Sequence, residues 1–469
     1  MRNHPTLQRL FVLVVGVCGL FSVCVSTSVA RPASLDHSFG DFGTAVYEHG
    51  GSLKWAARLD EYAGQPSALA LDARGRILVG GGTGSQFLVL RYLSNGQLDP
   101  TFGANGAVRI YDDMDSGADF MDPDSYAPRV KDILPRPDGK IVLIGQSYAL
   151  GSSIHGSPRQ VLMVLNEDGS KDEGFGFEGT RIGEVPLSMP RSALLLDNQD
   201  FLISGNIIEG SDDIGFPVKY SGFVAKLRED GEPDSSFGRP PSNDWPFPGL
   251  LRFIPKGPPP YSAITRILSL KSHKIIAGGH DRNRFFVARF KRDGSLDKSF
   301  GKGGRTIANF GGKRCFCVAG GDTAVNSRGS IVQVGYSSFP RRKRIATVAL
   351  VKYKPNGVVD RRFGHRGFSS AIFGPWVKST AIAIQKNGRI VVTARKGPSN
   401  DTRFMILRYL PSGRLDKSFF GDGKYFTNVG EVSTADKVVV DTKGRVLVAG
   451  GRASSEEGSF TLSRFLPGR

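Results

Sequence analysis

The feature of this sequence that most limits its fold is a six-residue phrase that occurs seven times. The first copy is LDHSFG at residues 35–40, and the others are LDPTFG, KDEGFG, PDSSFG, LDKSFG, VDRRFG and LDKSFF. The aspartates of successive copies are 63, 73, 62, 63, 63 and 56 residues apart. This period predicts an array of seven similar units, each of which buries its apolar surface against its neighbours.

Two further phrases recur once in every unit. One is a small turn followed by a β-branched run, as in ARGRILVGG, and the other is typified by FLVLRYLSNG. Apolar and polar residues alternate in these phrases, and DG, NG, SG and RG pairs separate them, which is typical of β-hairpins. Each unit is therefore predicted to be a four-stranded antiparallel meander. Strand a is typified by SALAL, strand b by RILVGG, strand c by FLVLRYL, and strand d by the segment from the LDxxFG phrase into AVRIY.

Seven such sheets must cover one another's faces, which predicts an all-β, seven-bladed β-propeller of four-stranded antiparallel blades. A β-solenoid is the alternative, although its repeats are usually shorter. The first LDxxFG phrase has no strand c before it, and the last strand c, FTLSRF, has no LDxxFG phrase after it. We therefore expect the N-terminal segment to complete the last blade and to close the ring.

The combination of a GKILV-like strand, an RY or RF strand that ends in NG or DG, and the LDxSFGxxG phrase resembles the delta-60 repeat of exported proteins. The resemblance extends over essentially all of residues 35–469. It implies a propeller blade for each unit and an extracytoplasmic location. It implies no particular biochemical activity.

The first 30 residues have the pattern of a secretory signal peptide. Arg2 and Arg9 precede the apolar run LFVLVVGVCGLF, and Ser28-Val29-Ala30 is a small-x-small cleavage site. No later segment approaches ~18 consecutive apolar residues, so no transmembrane span is predicted after cleavage. Residues 31–469 are then a single seven-repeat propeller domain, secreted or extracytoplasmic, at the cell surface or in the periplasm. We expect it to be a monomer.

The chain is strongly basic. Its 62 Lys and Arg residues and 44 Asp and Glu residues give a formal charge of +18, and residues 1–30 hold two of the basic residues and none of the acidic ones, so the mature chain carries +16. This charge predicts attraction to an anionic polysaccharide or a component of the cell envelope. The alternative is that the charge serves solubility alone. The sequence contains no specific nucleic-acid-binding motif.

The repeat accounts for several charged residues that would otherwise resemble sites. A basic residue in strand c recurs five residues before the turn glycine, and a two-residue turn would place it diagonal to the aspartate of the LDxxFG phrase. The predicted structural pairs are Arg91 with Asp99, Lys226 with Asp234, Arg289 with Asp297, Lys352 with Asp360, Arg408 with Asp416, and Arg464 with Asp36. Val164 interrupts the series, so Asp172 is expected to find another partner or to stay solvated. The phenylalanine of each phrase is expected to pack between adjacent blades.

The meander places its two kinds of connection on opposite faces. The a–b and c–d turns are tight hairpins, whereas the b–c and d–a connections hold nearly all of the length variation. Function on rigid scaffolds concentrates in such variable loops. We therefore expect any ligand to bind on the loop-rich face, around the mouth of the central channel.

Three candidate elements lie in these loops. The first is basic and comprises Arg341, Arg342, Lys343 and Arg344, with Lys313 and Arg314 in a neighbouring loop, and it could bind a polyanion or form a solvated loop tip. The second is acidic: Asp113, Asp115 and Asp119 have a spacing that could hold Ca²⁺, against a solvated acidic loop. No other cofactor is indicated. The third is Cys315-Phe316-Cys317, which could be a small-ring disulfide or two thiols.

Two functions compete at this point. The leading hypothesis is a secreted, non-enzymatic binding module that engages an anionic polymer or cell-surface partner through its loop-rich face. The alternative is a secreted propeller enzyme, a hydrolase, a lyase or a quinoprotein-like dehydrogenase, with its site at the channel mouth. Its candidate acid/base groups are Asp115, Asp119, His155, Asp212 and Asp213. Two of them would have to converge in one cleft.

Overall fold

The computed structural model describes sixteen segments of the chain. They are residues 34–49, 65–83, 86–111, 128–149, 157–183, 188–208, 220–238, 247–253, 262–281, 284–310, 316–339, 345–374, 376–398, 401–427, 432–453 and 458–468. Within these segments all regular secondary structure elements are β-strands, and no helix is assigned. None of the segments contains a helix long and apolar enough to cross a membrane.

The strands fall into seven blades. The first strand, β1 (Thr44–Glu48), precedes blade 1 in the sequence and belongs to blade 7. Blades 1 and 2 contain β2 (Pro66–Leu71), β3 (Ile77–Thr83), β4 (Gln86–Tyr92), β5 (Ala107–Tyr111), β6 (Arg129–Pro135), β7 (Ile141–Ala149), β8 (Ser157–Leu165) and β9 (Thr180–Ile182). Blades 3 and 4 contain β10 (Ser188–Leu195), β11 (Phe201–Ile208), β12 (Tyr220–Leu227), β13 (Leu250–Phe253), β14 (Ser262–Ser269), β15 (Ile275–Asp281), β16 (Arg284–Phe290) and β17 (Arg305–Ala308).

The remaining blades continue this pattern. Blades 5 and 6 contain β18 (Phe316–Val325), β19 (Ile331–Phe339), β20 (Ile345–Tyr353), β21 (Phe368–Gly374), β22 (Val377–Ile384), β23 (Ile390–Lys396), β24 (Arg403–Tyr409) and β25 (Lys424–Thr427). Blade 7 contains β26 (Val432–Ser433), β27 (Lys437–Val440), β28 (Val446–Ala453) and β29 (Gly458–Phe465). In blade 7 strand a is divided into β26 and β27, and both pair with β28.

The predicted meander is confirmed. Blades 1 to 6 are four-stranded sheets whose strands follow sequence order, as in β2-β3-β4-β5, and every neighbouring pair is antiparallel. The first strands contact one another in turn around the molecule, from β2 to β6, β10, β14, β18, β22 and β27, and β27 contacts β2 again. The first strands therefore line a central channel, and the structure is a seven-bladed β-propeller rather than a solenoid.

The N-terminal segment closes the ring, as the permuted repeat predicts. Strand β1 adds to the outer edge of blade 7 by pairing with β29, with Thr44 opposite Ser463 and Glu48 opposite Ser459. The hydroxyls of Thr44 and Ser463 lie 2.8 Å apart. Blade 7 thus combines strands from both ends of the sequence, and strand d of this blade is β1.

The apolar core lies between adjacent blades. In one cluster Leu78 and Phe87 of blade 1 pack against Val130 and Ile133 of blade 2, and all four are buried. The alternating apolar positions of strands b and c supply most of such clusters, because these inner strands have a neighbouring blade on each face. Burial of a large apolar side chain contributes about 1.5–3 kcal/mol, so each interface between blades is a substantial source of stability.

Strand a of each blade is irregular at one equivalent place. The pairing of β6 with β7 shifts between Val130 and Asp132, and that of β10 with β11 shifts between Pro190 and Ser192. Corresponding shifts occur in β2, β14, β18 and β22. The strand opposite needs a glycine here: a Cβ at Gly279 would lie 2.0 Å from the carbonyl oxygen of Ala263. This close approach explains the glycine that ends several strand b phrases.

Candidate functional site

A cavity of about 300 Å³ occupies the loop-rich end of the central channel. Its lining residues come from the beginning of strand a, such as Gln65 and Lys378, and from the end of strand b, such as Gln146 and Arg395. Strand a begins after a d–a connection, and strand b ends at a b–c connection. The cavity therefore lies on the face where the sequence predicts a ligand.

The β-bulges bring basic side chains to this cavity. Lys131 and Arg191 are the extra residues of the bulges in β6 and β10, and both line the cavity. A bulge re-aims a side chain that regular pairing would turn into the sheet, and bulges are frequent beside functional sites. The bulges of strand a thus place side chains on the wall of the channel.

The cavity has an excess of positive charge. Among the described residues that line it, six are basic: Arg129, Lys131, Arg191, Lys378, Arg395 and Lys437. Two are acidic, Asp322 and Asp436. A concave surface with charges of one sign and walls of low dielectric constant concentrates the electrostatic field and attracts counter-ions. The described lining thus has the excess of positive charge that an anion site needs.

The two carboxylates already have donors within the protein. Asp436 accepts a hydrogen bond from Nε of Arg395 at 2.9 Å, and Nη2 of the same guanidinium donates to Oε1 of Gln65 at 2.8 Å. Asp322 accepts from the backbone N–H of Thr323 at 2.8 Å and of Ile382 at 3.1 Å. Asp322 therefore joins blade 5 to blade 6, while Arg395 joins blades 6, 7 and 1.

Lys437 lies deeper in the channel and is half-buried. Burial lowers the pKa of its ammonium group below the ordinary value, although the neighbouring Asp132 acts in the opposite direction. An ammonium group that has lost part of its hydration gains more from a bound anion than an exposed one does. Lys437 is therefore well placed to contribute to anion binding.

Arg191 is held at the other side of the channel. Its Nε donates to Oδ1 of the buried Asn206 at 2.8 Å. Burial, together with the charge of Arg191, lowers the pKa of the nearby His280 to about 4. His280 is accordingly neutral near pH 7, and the charge at this point comes from Arg191.

The repeat charges form a separate set at the opposite end of the blades. The basic nitrogen lies 2.7 Å from the carboxylate oxygen for Arg91 and Asp99, 2.8 Å for Arg289 and Asp297, and 3.9 Å for Lys352 and Asp360. The distance is 2.8 Å for Arg408 and Asp416 and 2.7 Å for Arg464 and Asp36, and Lys226 contacts Asp234. We call each such pair an inter-blade clamp, because its basic residue can also contact the next blade. In blade 4, for example, Nη1 of Arg289 donates to the carbonyl of Pro355 in blade 5 at 2.7 Å.

The clamp aspartates are stabilised as carboxylates. Burial raises the pKa of Asp99, but hydrogen bonds from Thr101 and the charge of Arg91 outweigh burial and hold the pKa below its ordinary value. In blade 2, where Val164 replaces the basic residue, Nζ of Lys140 lies 2.6 Å from Asp172. The arginine pairs are buried and the lysine pairs are partly exposed, and none lines the cavity.

The phenylalanines of the LDxxFG phrases are buried beside the clamps. Phe39 and Phe102 are fully buried, and a Cβ added at the turn glycine of the following blade, Gly96 or Gly169, would meet their rings. The ring and the turn of the next blade are therefore in contact. The full set is Phe39, Phe102, Phe175, Phe237, Phe300, Phe363 and Phe419, and all seven are buried.

The loop candidates from the sequence lie outside the described residues. This applies to the basic residues Arg341, Arg342, Lys343, Arg344, Lys313 and Arg314, to the calcium candidates Asp113, Asp115 and Asp119, and to the acid/base candidates Asp115, Asp119, His155, Asp212 and Asp213. Cys315 and the side chain of Cys317 lie outside as well. In the described part of the chain, no three His, Cys, Asp or Glu residues cluster to hold a metal ion.

The channel cations were missed by sequence reasoning. The available signal was a basic residue in the otherwise apolar and small strand a, as in RVKDIL and MPRSAL. Because strand a differs from blade to blade, the repeat did not single these residues out. They converge only when the ring closes.

Comparison with known proteins supports the architecture. Residues 75–102, 136–175 and 274–300, in blades 1, 2 and 4, match a family model described as "Domain of unknown function (DUF5122) beta-propeller". This family is a propeller family, as the repeat predicts, and the delta-60 assignment itself stays a prediction. No curated protein matches the chain.

Several solved structures resemble the fold at low sequence identity. Virginiamycin B lyase from Staphylococcus aureus is 8% identical with a TM-score of 0.45, and 90% of this chain and 99% of that chain are covered. The polysaccharide lyase Uly1 is 12% identical with a TM-score of 0.43, over 90% and 97% of the two chains. Domains 1–2 of Drosophila Semaphorin 1a are 8% identical with a TM-score of 0.43, over 89% and 88%. Likeness of this degree carries no information about activity.

Proposed function

We propose that this protein is a secreted, non-enzymatic binding module whose ligand is an anionic polymer or an anionic group on a cell-surface partner. The ligand binds at the loop-rich mouth of the central channel. One observation carries the proposal: six cations and two carboxylates line a single cavity at that mouth. The predicted export and the basic composition support it, because an extracytoplasmic protein meets acidic polysaccharides and envelope components.

The state of the two carboxylates strengthens the argument. Asp436 is bound by Arg395, and Asp322 accepts two backbone N–H groups, so each carboxylate is engaged within the protein. Lys378 and Lys437 form no ion pair with a described residue. An anion that enters the cavity therefore meets positive charge that the described carboxylates do not fully balance.

Binding of a soluble acidic polysaccharide, polygalacturonate, tests the proposal. We expect the protein to bind it and to bind neutral dextran far more weakly, and the affinity should fall as ionic strength rises. Replacing two channel cations in the variant Lys378→Gln/Lys437→Gln should weaken binding by about tenfold or more, which corresponds to about 1.4 kcal/mol. Isothermal titration calorimetry at low and high salt measures both effects.

A matched variant separates the channel from the overall charge. Lys298 and Lys417 are exposed and lie in c–d turns on the opposite face, so Lys298→Gln/Lys417→Gln removes the same charge outside the channel. The proposal predicts near-normal affinity for this control. Equal weakening by both double variants, or binding of polygalacturonate that salt does not change, would contradict it. Calorimetric titration of the protein with Ca²⁺ alone tests the predicted site at Asp113, Asp115 and Asp119, for which one bound ion per chain is expected.

A further inference from the structure

The channel cations that carry this inference stand on opposite sides of the ring. Arg191 belongs to blade 3, Lys378 to blade 6 and Lys437 to blade 7. In a closed ring of seven blades, blade 3 is three steps from blade 6 in one direction and three steps from blade 7 in the other. Arg191 therefore faces the two lysines across the channel.

Blades 1, 4 and 5 contribute no basic residue to the described lining of the cavity. Blade 1 supplies Gln65, Pro66 and Ser67, while blades 4 and 5 supply Thr265, Gly321 and Asp322. The carboxylate of Asp322 is engaged by backbone N–H groups, as described above. The positive charge of the described lining is thus divided into two groups, one on blades 2 and 3 and one on blades 6 and 7.

The cations of the two groups differ in how far nearby acids offset their charge. Arg191 binds the neutral side chain of Asn206, and among the described residues neither Arg191 nor Lys378 forms an ion pair. Blades 6 and 7 supply three cations and one carboxylate to the lining; Asp436 is bound by Arg395, and Asp132, Asp322 and Asp436 all act on Lys437. Two opposed positive regions bind two negative groups better than one, because a single small anion can contact only one side.

An exposed aromatic residue lies close to Lys378 in the sequence, next to the residues that line the cavity. Trp376 immediately precedes β22, two residues before Lys378, and its side chain is 57% exposed. Its φ of 63° is strained for a bulky residue, and its carbonyl accepts the N–H of Gly397 at 2.9 Å. Such strain is unfavourable and concentrates at ligand-binding positions. An exposed indole offers a flat apolar surface to the face of a sugar ring.

We propose that the channel selects an acidic oligosaccharide with two negatively charged groups, one bound at Arg191 and the other at Lys378 and Lys437, with a sugar ring against Trp376. This inference rests on the proposed function and names the ligand class of the same site. A cavity of about 300 Å³ is at the lower end of the range for small-molecule sites, which fits one or two sugar units rather than a folded partner.

Calorimetric titration of the full chain with three probes tests this inference. Galacturonate carries one carboxylate, digalacturonate carries two on a sugar chain, and adipate carries two without a sugar. We expect digalacturonate to bind about tenfold tighter than galacturonate, and Arg191→Gln to remove that advantage while leaving galacturonate binding at Lys378 and Lys437 nearly unchanged. Trp376→Ala should weaken digalacturonate severalfold and leave adipate unaffected.

The controls separate this inference from the proposed function. Lys298→Gln, on the opposite face, should bind all three probes as the parent does, and unchanged melting temperatures should show that each variant is folded. Equal affinity for galacturonate and digalacturonate, or equal weakening of both by Arg191→Gln, would overturn the two-group inference while the proposed function stands. Equal effects of Trp376→Ala on adipate and digalacturonate would overturn the sugar as the ligand. Failure of every anionic probe, polygalacturonate included, would contradict both proposals.

Discussion

At the scale of single residues, Arg91 shows how one side chain can join two blades. Its Nε donates to Asp99 at 2.7 Å within blade 1, its Nη1 donates to the carbonyl of Glu167 in blade 2, and its guanidinium lies 4.4 Å from the centre of the Phe102 ring. The side chains of Arg91 and Asp99 are 1% and 4% exposed. A buried charge that loses its partner is costly, which makes this clamp sensitive to substitution.

Arg91→Met should therefore destabilise the protein far more than the equivalent change at a looser clamp. We expect the free energy of unfolding to fall by about 3 kcal/mol, because the buried Asp99 then keeps only the more distant Arg76, whose nitrogen lies 3.9 Å away. Lys352→Met is the matched control: Lys352 and Asp360 are 3.9 Å apart and partly exposed, and the loss should be about 1 kcal/mol or less. Urea denaturation of both variants measures the difference. Similar losses would show that the pairs do not clamp the blades.

At the scale of whole strands, the pairing of β1 with β29 closes the ring. Without β1, blade 7 would expose the edge of β29, including the buried Phe460 and Leu462. An exposed edge strand with apolar residues is prone to wrong pairing and aggregation. Arg464 and Asp36 add a clamp across the same junction, 2.7 Å apart. We therefore expect unfolding of the ring to begin at this junction.

A disulfide across the junction should slow that opening. Thr44 and Ser463 are opposite each other with their hydroxyls 2.8 Å apart, so Thr44→Cys/Ser463→Cys places two thiols within bonding reach. The oxidised variant should be more stable than its reduced form by about 2–4 kcal/mol. Thermal unfolding with and without reductant measures this, and the parent protein under the same treatment is the control. Identical unfolding of the oxidised and reduced forms would place the first opening elsewhere.

At the scale of the whole molecule, the two sets of charges have different tasks. The clamps pair acid with base within a blade in nearly every repeat, and their arginines also donate to a backbone carbonyl of the next blade. The channel collects basic residues from different blades without balancing them, so part of the net charge of +18 is concentrated in one cavity. The residues that recur in every repeat hold the blades together, and the strand a residues that differ between repeats line the cavity.

This division also explains what the sequence could predict. The number of blades, the order of strands and the closing segment follow from phrases that recur with a period of about 60 residues. The channel does not, because the extra residue of each strand a bulge, which lines the channel, differs in size and charge around the ring. In blades 1, 2, 3, 4 and 6 these residues are Ser67, Lys131, Arg191, Thr265 and Thr380.

The central claim is that the channel mouth is an anion site, and the position of a bound anion tests it most directly. Crystals of the full chain soaked in bromide can be examined by anomalous diffraction, which locates the ion without an assumption about the natural ligand. If the cavity is an anion site, we expect bromide inside it, beside Arg191 on one side and beside Lys378 and Lys437 on the other. Bromide bound at the outer surface with none inside the channel would contradict it.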